Sequence, residues 1–302
     1  ELEKAIDARY GISSAGELSW LLGMRITRDR SAKTISLSQS AYIDSLVTRF
    51  GLDNATPAAT PFVQGVALTR DQCPANDDEV REMANVPYRE LVGSLMYLRV
   101  ATRPDISYHV SVLSKFLNNP GRAHWEAAKR VLRFLKGSRD WKLTLGGFSD
   151  LVAYSDADWA GDHDDRKSTG GYVFLVGRGA VSWSSKRQPT VALSSLEAEY
   201  MALTQAAKEA IWIKSYLADI DVHVHGPVTV FGDNQGSLAL AKNPVFHART
   251  KHIDIQHHFI RDCVASGTIF VDYISTHDML ADGLTKPLSR DKHLRFAYEL
   301  GL

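Results

Sequence analysis

Along the first part of the chain, Leu21, Leu22, Met24 and Ile26 face Thr34, Ile35 and Leu37 across the polar turn Asp29-Arg30-Ser31, a pattern that predicts a β-hairpin. A helix is expected over Ser38 to Phe50. Between Asp53 and Pro87 the periodicity fades, and four prolines with the acidic run Asp77-Asp78-Glu79 describe a long surface connection inside the first unit. From Tyr88 to Leu117 the pattern is helical but broken at Arg103-Pro104, because proline removes an amide donor and clashes with the preceding turn. Two packed helices are expected there. A third, Arg122 to Lys136, gathers Ala127, Val131, Leu132, Phe134 and Leu135 on one face and Arg122, Lys129, Arg133 and Lys136 on the other. The basic stripe is either a solvated face or a row of contacts to successive phosphates, which need like charges one helical turn apart.

After Gly146-Gly147 the character changes to short β runs, which places a domain boundary near residue 148. Leu151 to Trp159, Gly171 to Val176 and Ala180 to Trp183 read as strands, followed by a long helix from Ser195 to about Leu217. Then come a strand Val228 to Phe231, helices near Gly236 to Lys242 and Ile253 to Ser266, a strand Ile269 to Ile274 and a last helix from about Met279. The order β-β-β-α-β-α-α-β-α predicts an α/β fold, a mixed five-stranded sheet with flanking helices, preceded by a mostly helical region.

Composition adds little to this. Lys plus Arg number 35, equal to Asp plus Glu, so any nucleic-acid contact has to come from local basic stripes and not from the net field. Cys73 and Cys263 lie far apart in no metal-ligand spacing, which argues for a reducing intracellular setting without a disulfide framework. No apolar run of about eighteen residues appears, and the amino end lacks the order of a signal peptide, so neither membrane insertion nor secretion is expected. The absence of an initiator Met suggests a fragment or a processed product.

Four acidic residues stand at element ends. Asp156 follows the apolar run Leu151-Val152-Ala153-Tyr154, Asp233 ends the strand from Val228, Glu199 lies in the long helix, and Asp282 lies near the start of the last one. Singly, Asp233 is explained as a helix cap, Asp282 as a dipole partner and Asp156 as a turn former. Together they form a hard oxygen-donor set of the kind Mg²⁺ prefers, and two such ions about 4 Å apart suit in-line phosphodiester displacement. In the long helix, Leu203, Ala206, Ala210, Ile213 and Leu217 fall within about 80° of one another at ~100° per residue, and Glu199 falls inside that arc. Glu197 falls roughly opposite. With Ser194 it reads as a capping box in which Glu197 returns to the Ser194 amide, a structural role.

With those residues in view, the chain resembles copia-type retrotransposon Pol polyproteins over nearly its whole length. Gly16-Glu17-Leu18-Ser19-Trp20-Leu21-Leu22-Gly23-Met24 resembles the region after the polymerase catalytic hairpin, with Leu22-Gly23 similar to the primer grip. Gln39-Ser40-Ala41-Tyr42-Ile43, Gly93-Ser94-Leu95-Met96-Tyr97-Leu98, Thr102-Arg103-Pro104-Asp105-Ile106 and Arg133-Phe134-Leu135-Lys136-Gly137 continue the match. Ser155-Asp156-Ala157-Asp158-Trp159, Ser168-Thr169-Gly170-Gly171-Tyr172, Ser194 to Ala202, Asp233-Asn234-Gln235 and Leu280-Ala281-Asp282-Gly283-Leu284-Thr285-Lys286-Pro287-Leu288 resemble the RNase H domain of the same polyproteins.

The resemblance implies a thumb and connection region over 1–147 and an RNase H-like domain over 148–302. It implies Asp156, Glu199, Asp233 and Asp282 as catalytic ligands of two Mg²⁺ ions, with Mn²⁺ a possible substitute. Asp158 shares a strand face with Asp156, and periodicity does not separate them; the Tyr-x-Asp pattern of retroviral relatives favours Asp156. Gln235 resembles a reader of the hybrid's minor groove, where 2′-hydroxyls mark RNA, or is a surface residue at a helix start. His277, five residues before Asp282, resembles an auxiliary histidine of relatives at a shorter spacing, and Arg166, Lys186 and Arg187 are expected in hairpin turns that touch phosphates. The implied reaction is hydrolysis of the RNA strand of an RNA/DNA hybrid, in cytoplasmic virus-like particles or the nucleus. The polymerase fingers and palm are not in this stretch, so other Pol segments are expected to supply DNA synthesis. A decayed or domesticated binding module would keep the fold without cleavage. A DDE-type integrase would place its Glu last in chain order, and here Glu199 is second.

Overall fold

In the computed structural model, residues 2–11, 16–147, 150–222, 224–242 and 254–302 are described. Helix α1 (Leu2–Tyr10), which no periodic apolar pattern predicts, precedes a small antiparallel sheet. Its strands are β1 (Trp20–Leu21), β2 (Met24–Asp29) and β3 (Thr34–Ser38), joined in that order. The expected first strand is thus split. Leu22 and Gly23 both have positive φ, 49° and 75°, as a tight two-residue hairpin turn requires, and the Tyr97 hydroxyl donates to the Leu22 carbonyl. A fourth strand, β4 (Leu143–Gly146), pairs antiparallel with β3 through Ile35 and Leu145. Three residues ahead of a glycine pair are too few to show alternation, so this strand leaves no signal in the sequence.

Between β3 and β4 lies a helical region of α2 (Ser40–Arg49), α3 (Asp77–Met83), α4 (Tyr88–Ala101), α5 (Ser107–Ser114) and α6 (Arg122–Gly137). Ile43, Leu46, Leu91, Leu95, Leu98, Val110, Leu113, Val131, Leu132 and Leu135 are buried together in it, each contributing roughly 1.5–3 kcal/mol through burial. The break at Arg103-Pro104 is a short 3₁₀ turn, Pro104–Ile106.

The connection from Asp53 to Pro87 differs from the expected loose linker. It buries Phe62 and contains α3, capped by the Asn76 side chain on the Glu79 amide. The basic stripe of α6 fastens it down. Lys136 Nζ donates to the carbonyls of Leu52, Asp53 and Ala55, and Arg133 Nε to that of Thr56 at 2.6 Å. Lys129 pairs with Glu126 at 2.8 Å. Of the cations in this stripe, Arg133 and Lys136 are thus held by backbone carbonyls and Lys129 by a carboxylate.

The second sheet has the order β7-β6-β5-β8-β9. Strands β5 (Val152–Asp158), β6 (Thr169–Val176) and β7 (Gly179–Arg187) form an antiparallel meander, while β8 (Val228–Gly232) and β9 (Ile269–Tyr273) run parallel to β5. Successive residues of β6 point to opposite faces. Phe174 joins a core with α7 (Ser195–Asp219), α8 (Gln235–Lys242) and α9 (Asp254–Ala265). Val173 joins another with the 3₁₀ turn Leu280–Leu284 and α10 (Arg290–Glu299). The last predicted helix is therefore two pieces, separated around Pro287. The expected boundary at residue 148 and the helix start at Ile253 lie outside the described residues.

The core beneath α10 includes Leu143 of β4, with Leu37 and Leu145 packed against it, so it spans both sheets. The Thr144 amide donates to the Gly301 carbonyl and the Ala180 amide to that of Leu300, at 2.8 and 3.0 Å. Trp183 Nε1 donates to the Arg99 carbonyl at 2.8 Å, and Lys115 pairs with Asp162 at 2.7 Å. At the centre of the contact Arg103, buried, makes a two-pronged ion pair with buried Asp105 and also donates to Ser138. His293 of α10 lies 3.8 Å from the same carboxylate. Burial alone would raise the Asp105 carboxyl, but Arg103 and His293 hold it well below the ordinary range.

Candidate active site

Parallel strands β5 and β8 pair with Tyr154 opposite Phe231. Two residues further along each, Asp156 and Asp233 stand side by side at the carboxyl ends, the edge of an α/β sheet where ligands characteristically bind. Helix α7 delivers the third group. Ser194 caps it by accepting from the Glu197 amide at 3.2 Å, and its apolar face, Leu203, Ala206, Ala210 and Ile213, is buried on the sheet. Glu199 lies on that face near the sheet's edge, as its helical phase predicts. Asp156, Glu199 and Asp233 each offer a carboxylate oxygen within 4.8 Å of the others.

Glu197 is turned away from this cluster, but one detail differs from expectation. Its Oε2 accepts from the Leu193 amide at 2.9 Å, one residue earlier than the capping box predicts, and the side chain is buried.

Crowded carboxylates in a partly dry site resist ionising together. Burial, then the charges of Asp156 and Asp233, push the Glu199 carboxyl up to about 9, with the Ala157 amide opposing. Burial pushes Asp156 up to about 7, with Lys286 opposing and Asp282 adding to the rise. Asp233 accepts from Thr276 Oγ1 at 2.8 Å.

Asp282 does not join the three-carboxylate cluster. It lies in the 3₁₀ turn, not a helix, with Oδ1 2.8 Å from Lys286 Nζ. One residue before that lysine, the Thr285 hydroxyl donates to Asp156 Oδ2. The turn approaches so closely because Gly171, paired with Asp156 across β5 and β6, has no side chain. A Cβ there would stand 2.7 Å from Leu284 Cβ and 3.0 Å from Thr285 Cγ2. Sequence reading singles out Gly170-Gly171 as a motif, and this close approach is its physical reason. Lys286 and Thr285 are the site residues that it misses.

The remaining candidates spread around this edge. Asp158 is outside the cluster and lies against Gly161, its carboxyl raised by burial. Gln235 is exposed at the first position of α8. His277 is exposed, 3.1 Å from Asp278 and 3.3 Å from Arg295, and shares with Asp282 a cavity of about 240 Å³. Arg166 is in a turn with φ of 58°, as expected. Lys186 and Arg187, expected in a turn, instead end strand β7, which runs further than its apolar part. Arg187 pairs with Asp165 at 2.5 Å and Asp162 at 3.4 Å, and Lys186 is exposed.

Three oxygen donors within reach of one point suit a hard divalent cation, which would offset the repulsion that raises Asp156 and Glu199. Among the described residues, no helix is long and apolar enough to cross a membrane. The meander followed by two parallel strands, with helices on both faces, defines an RNase H-like α/β fold. No protein-family model matches the chain. It is 44% identical over 293 residues to the Retrovirus-related Pol polyprotein from transposon TNT 1-94 of Nicotiana tabacum, and 42% identical over 300 residues to that from transposon RE2 of Arabidopsis thaliana. The chain belongs to the copia-type retrotransposon Pol polyproteins. These alignments cover 97% and 99% of this chain but 22% and 20% of the relatives, so it spans about a fifth of their length. The solved structure of LC11-RNase H1 in complex with an RNA/DNA hybrid aligns at 17% identity and a TM-score of 0.35, over 48% of this chain and 99% of that one.

Proposed function

We propose that residues 148–302 form the RNase H of such a polyprotein, preceded over 1–147 by the thumb and connection part of its reverse transcriptase. The reaction is Mg²⁺-dependent hydrolysis of the RNA strand of an RNA/DNA hybrid, leaving a 3′-hydroxyl and a 5′-phosphate. The observation that carries this reading is the convergence of Asp156, Glu199 and Asp233 within 4.8 Å at the carboxyl ends of β5 and β8. These three would hold the metal, with Asp282 flanking them. When bound, divalent ions supply an activated water and charge stabilisation at the leaving oxygen. The chain's own contribution is placement: Thr285 fixes Asp156 by hydrogen bond, Thr276 fixes Asp233, and the Ala157 amide holds Glu199. Gln235, exposed two residues beyond Asp233, would read the hybrid's minor groove.

The test is cleavage of a labelled hybrid by the full chain with Mg²⁺ and with chelator. Glu199→Gln keeps the shape and removes the charge, and is expected to slow cleavage by roughly a hundredfold or more. Glu197→Gln still accepts from the Leu193 amide and is expected to stay near the parent rate. Cleavage that survives in Glu199→Gln and vanishes in Glu197→Gln would sink this site.

A further inference from the structure

The acidic edge contains one cation that the reading above leaves without a task. Lys286 follows Asp282 by one turn, and its amide donates to the Asp282 carbonyl at 3.0 Å. The same turn directs the Lys286 ammonium to Asp282 Oδ1 at 2.8 Å and the Thr285 hydroxyl to Asp156. The Asp282 side chain is 10% exposed and that of Lys286 38%, so the carboxylate is nearly closed off by protein while the ammonium still reaches solvent. Lys286 also feels the fields of Asp156 and Asp158, and these with Asp282 raise its ammonium against burial. Lys292 adds a weaker field on Asp282, and His163 one on Asp158.

We propose that Lys286 is a built-in cation for the Asp282 side of the site: the free chain takes one divalent ion, at Asp156, Glu199 and Asp233, and Lys286 competes for the place of a second. This rests on the metal-dependent reading above. A second ion held at Asp282 would need the carboxylate oxygen that the ammonium occupies, and two cations at that distance repel. Lysine suits such a removable role because its ammonium is a compact charge on a flexible stem, able to turn toward another anion. A phosphodiester arriving at the open side offers that anion. The ammonium would then leave Asp282 as nucleic acid binds, so that occupancy of the second place is tied to the presence of substrate.

The experiment is calorimetric titration of Mn²⁺ into the full chain without nucleic acid, beside thermal unfolding in chelator. The parent chain is expected to take one ion. Lys286→Gln, which keeps a donor and removes the charge, is expected to take a second, or to bind Mn²⁺ at least tenfold more tightly. Lys286→Arg keeps the charge, is the variant least able to disturb the fold, and is expected to titrate like the parent. Lys286→Gln titrating like the parent, Lys286→Arg gaining a second ion, or two ions in the parent chain each overturns the role given to Lys286 while leaving the metal site intact. No Mn²⁺ binding by any form overturns the metal reading itself, and this proposal with it.

Discussion

Glu199 and Asp156 resist ionising in the metal-free protein, and this has a direction in pH. Their folded carboxyls titrate at about 9 and about 7, above the ordinary range they regain on unfolding. The folded state thus holds protons that the unfolded chain releases, so their contribution to stability is complete below the ordinary carboxylate range. It is lost as pH rises through about 7 and then about 9. In chelator, the melting temperature of the parent chain is expected to fall between about pH 5 and about pH 9 more steeply than that of Glu199→Gln. Equal slopes in the two proteins would show that Glu199 carries no such charge. Glu199 was legible in advance because helical phase alone places it among Leu203, Ala206 and Ala210. Asp156 was not separable from Asp158, since both face one side of β5 and only the neighbouring strand and turn distinguish them. Lys286 was illegible for a different reason: its partner is one turn back in a 3₁₀ segment, where no apolar period marks a face.

At the scale of elements, helix α6 is both a core helix and a clamp. Its apolar face was readable from period, whereas the use of its basic face was not, because carbonyl oxygens of the 52–56 segment leave no trace in composition. Hydrogen bonds from a charged donor contribute about 1.5–3 kcal/mol each where they are well formed. Arg133→Met with Lys136→Met is therefore expected to lower the urea midpoint and to open residues 52–60 to limited proteolysis. The salt dependence of hybrid binding should stay that of the parent chain. A flatter salt slope with unchanged stability would return these residues to phosphate contact. Strand β4 is the other element that sequence concealed: its pairing with β3 is what makes Leu143-Thr144-Leu145 a strand, and that partner is a hundred residues away in the chain.

Across the whole molecule, the small sheet and the RNase H-like sheet share a core, and the buried Arg103–Asp105 pair of the helical region lies against His293 of α10. Removing one partner of such a pair leaves a charge without compensation and costs about 3–5 kcal/mol. Arg103→Ala is thus expected to lower the melting temperature of the entire chain in one transition, because Arg103 also donates to Ser138 and its partner Asp105 lies against His293 of α10. The check is thermal unfolding followed both by tryptophan fluorescence and by far-ultraviolet dichroism. Two separated transitions, with only one shifted, would mean that the regions melt independently. The pairing of β5 with β8 bears on folding kinetics as well. The meander β5-β6-β7 joins sequence neighbours, but β8 reaches β5 only after α7 has crossed between them, and such non-local closure comes late because chain entropy must be overcome first. Asp156, Glu199 and Asp233 are therefore expected to meet late in folding, once the β5-β6-β7 meander has formed. Their repulsion then acts on the rate of unfolding and not on the rate of folding, and a bound cation would act chiefly by lengthening the lifetime of the native molecule.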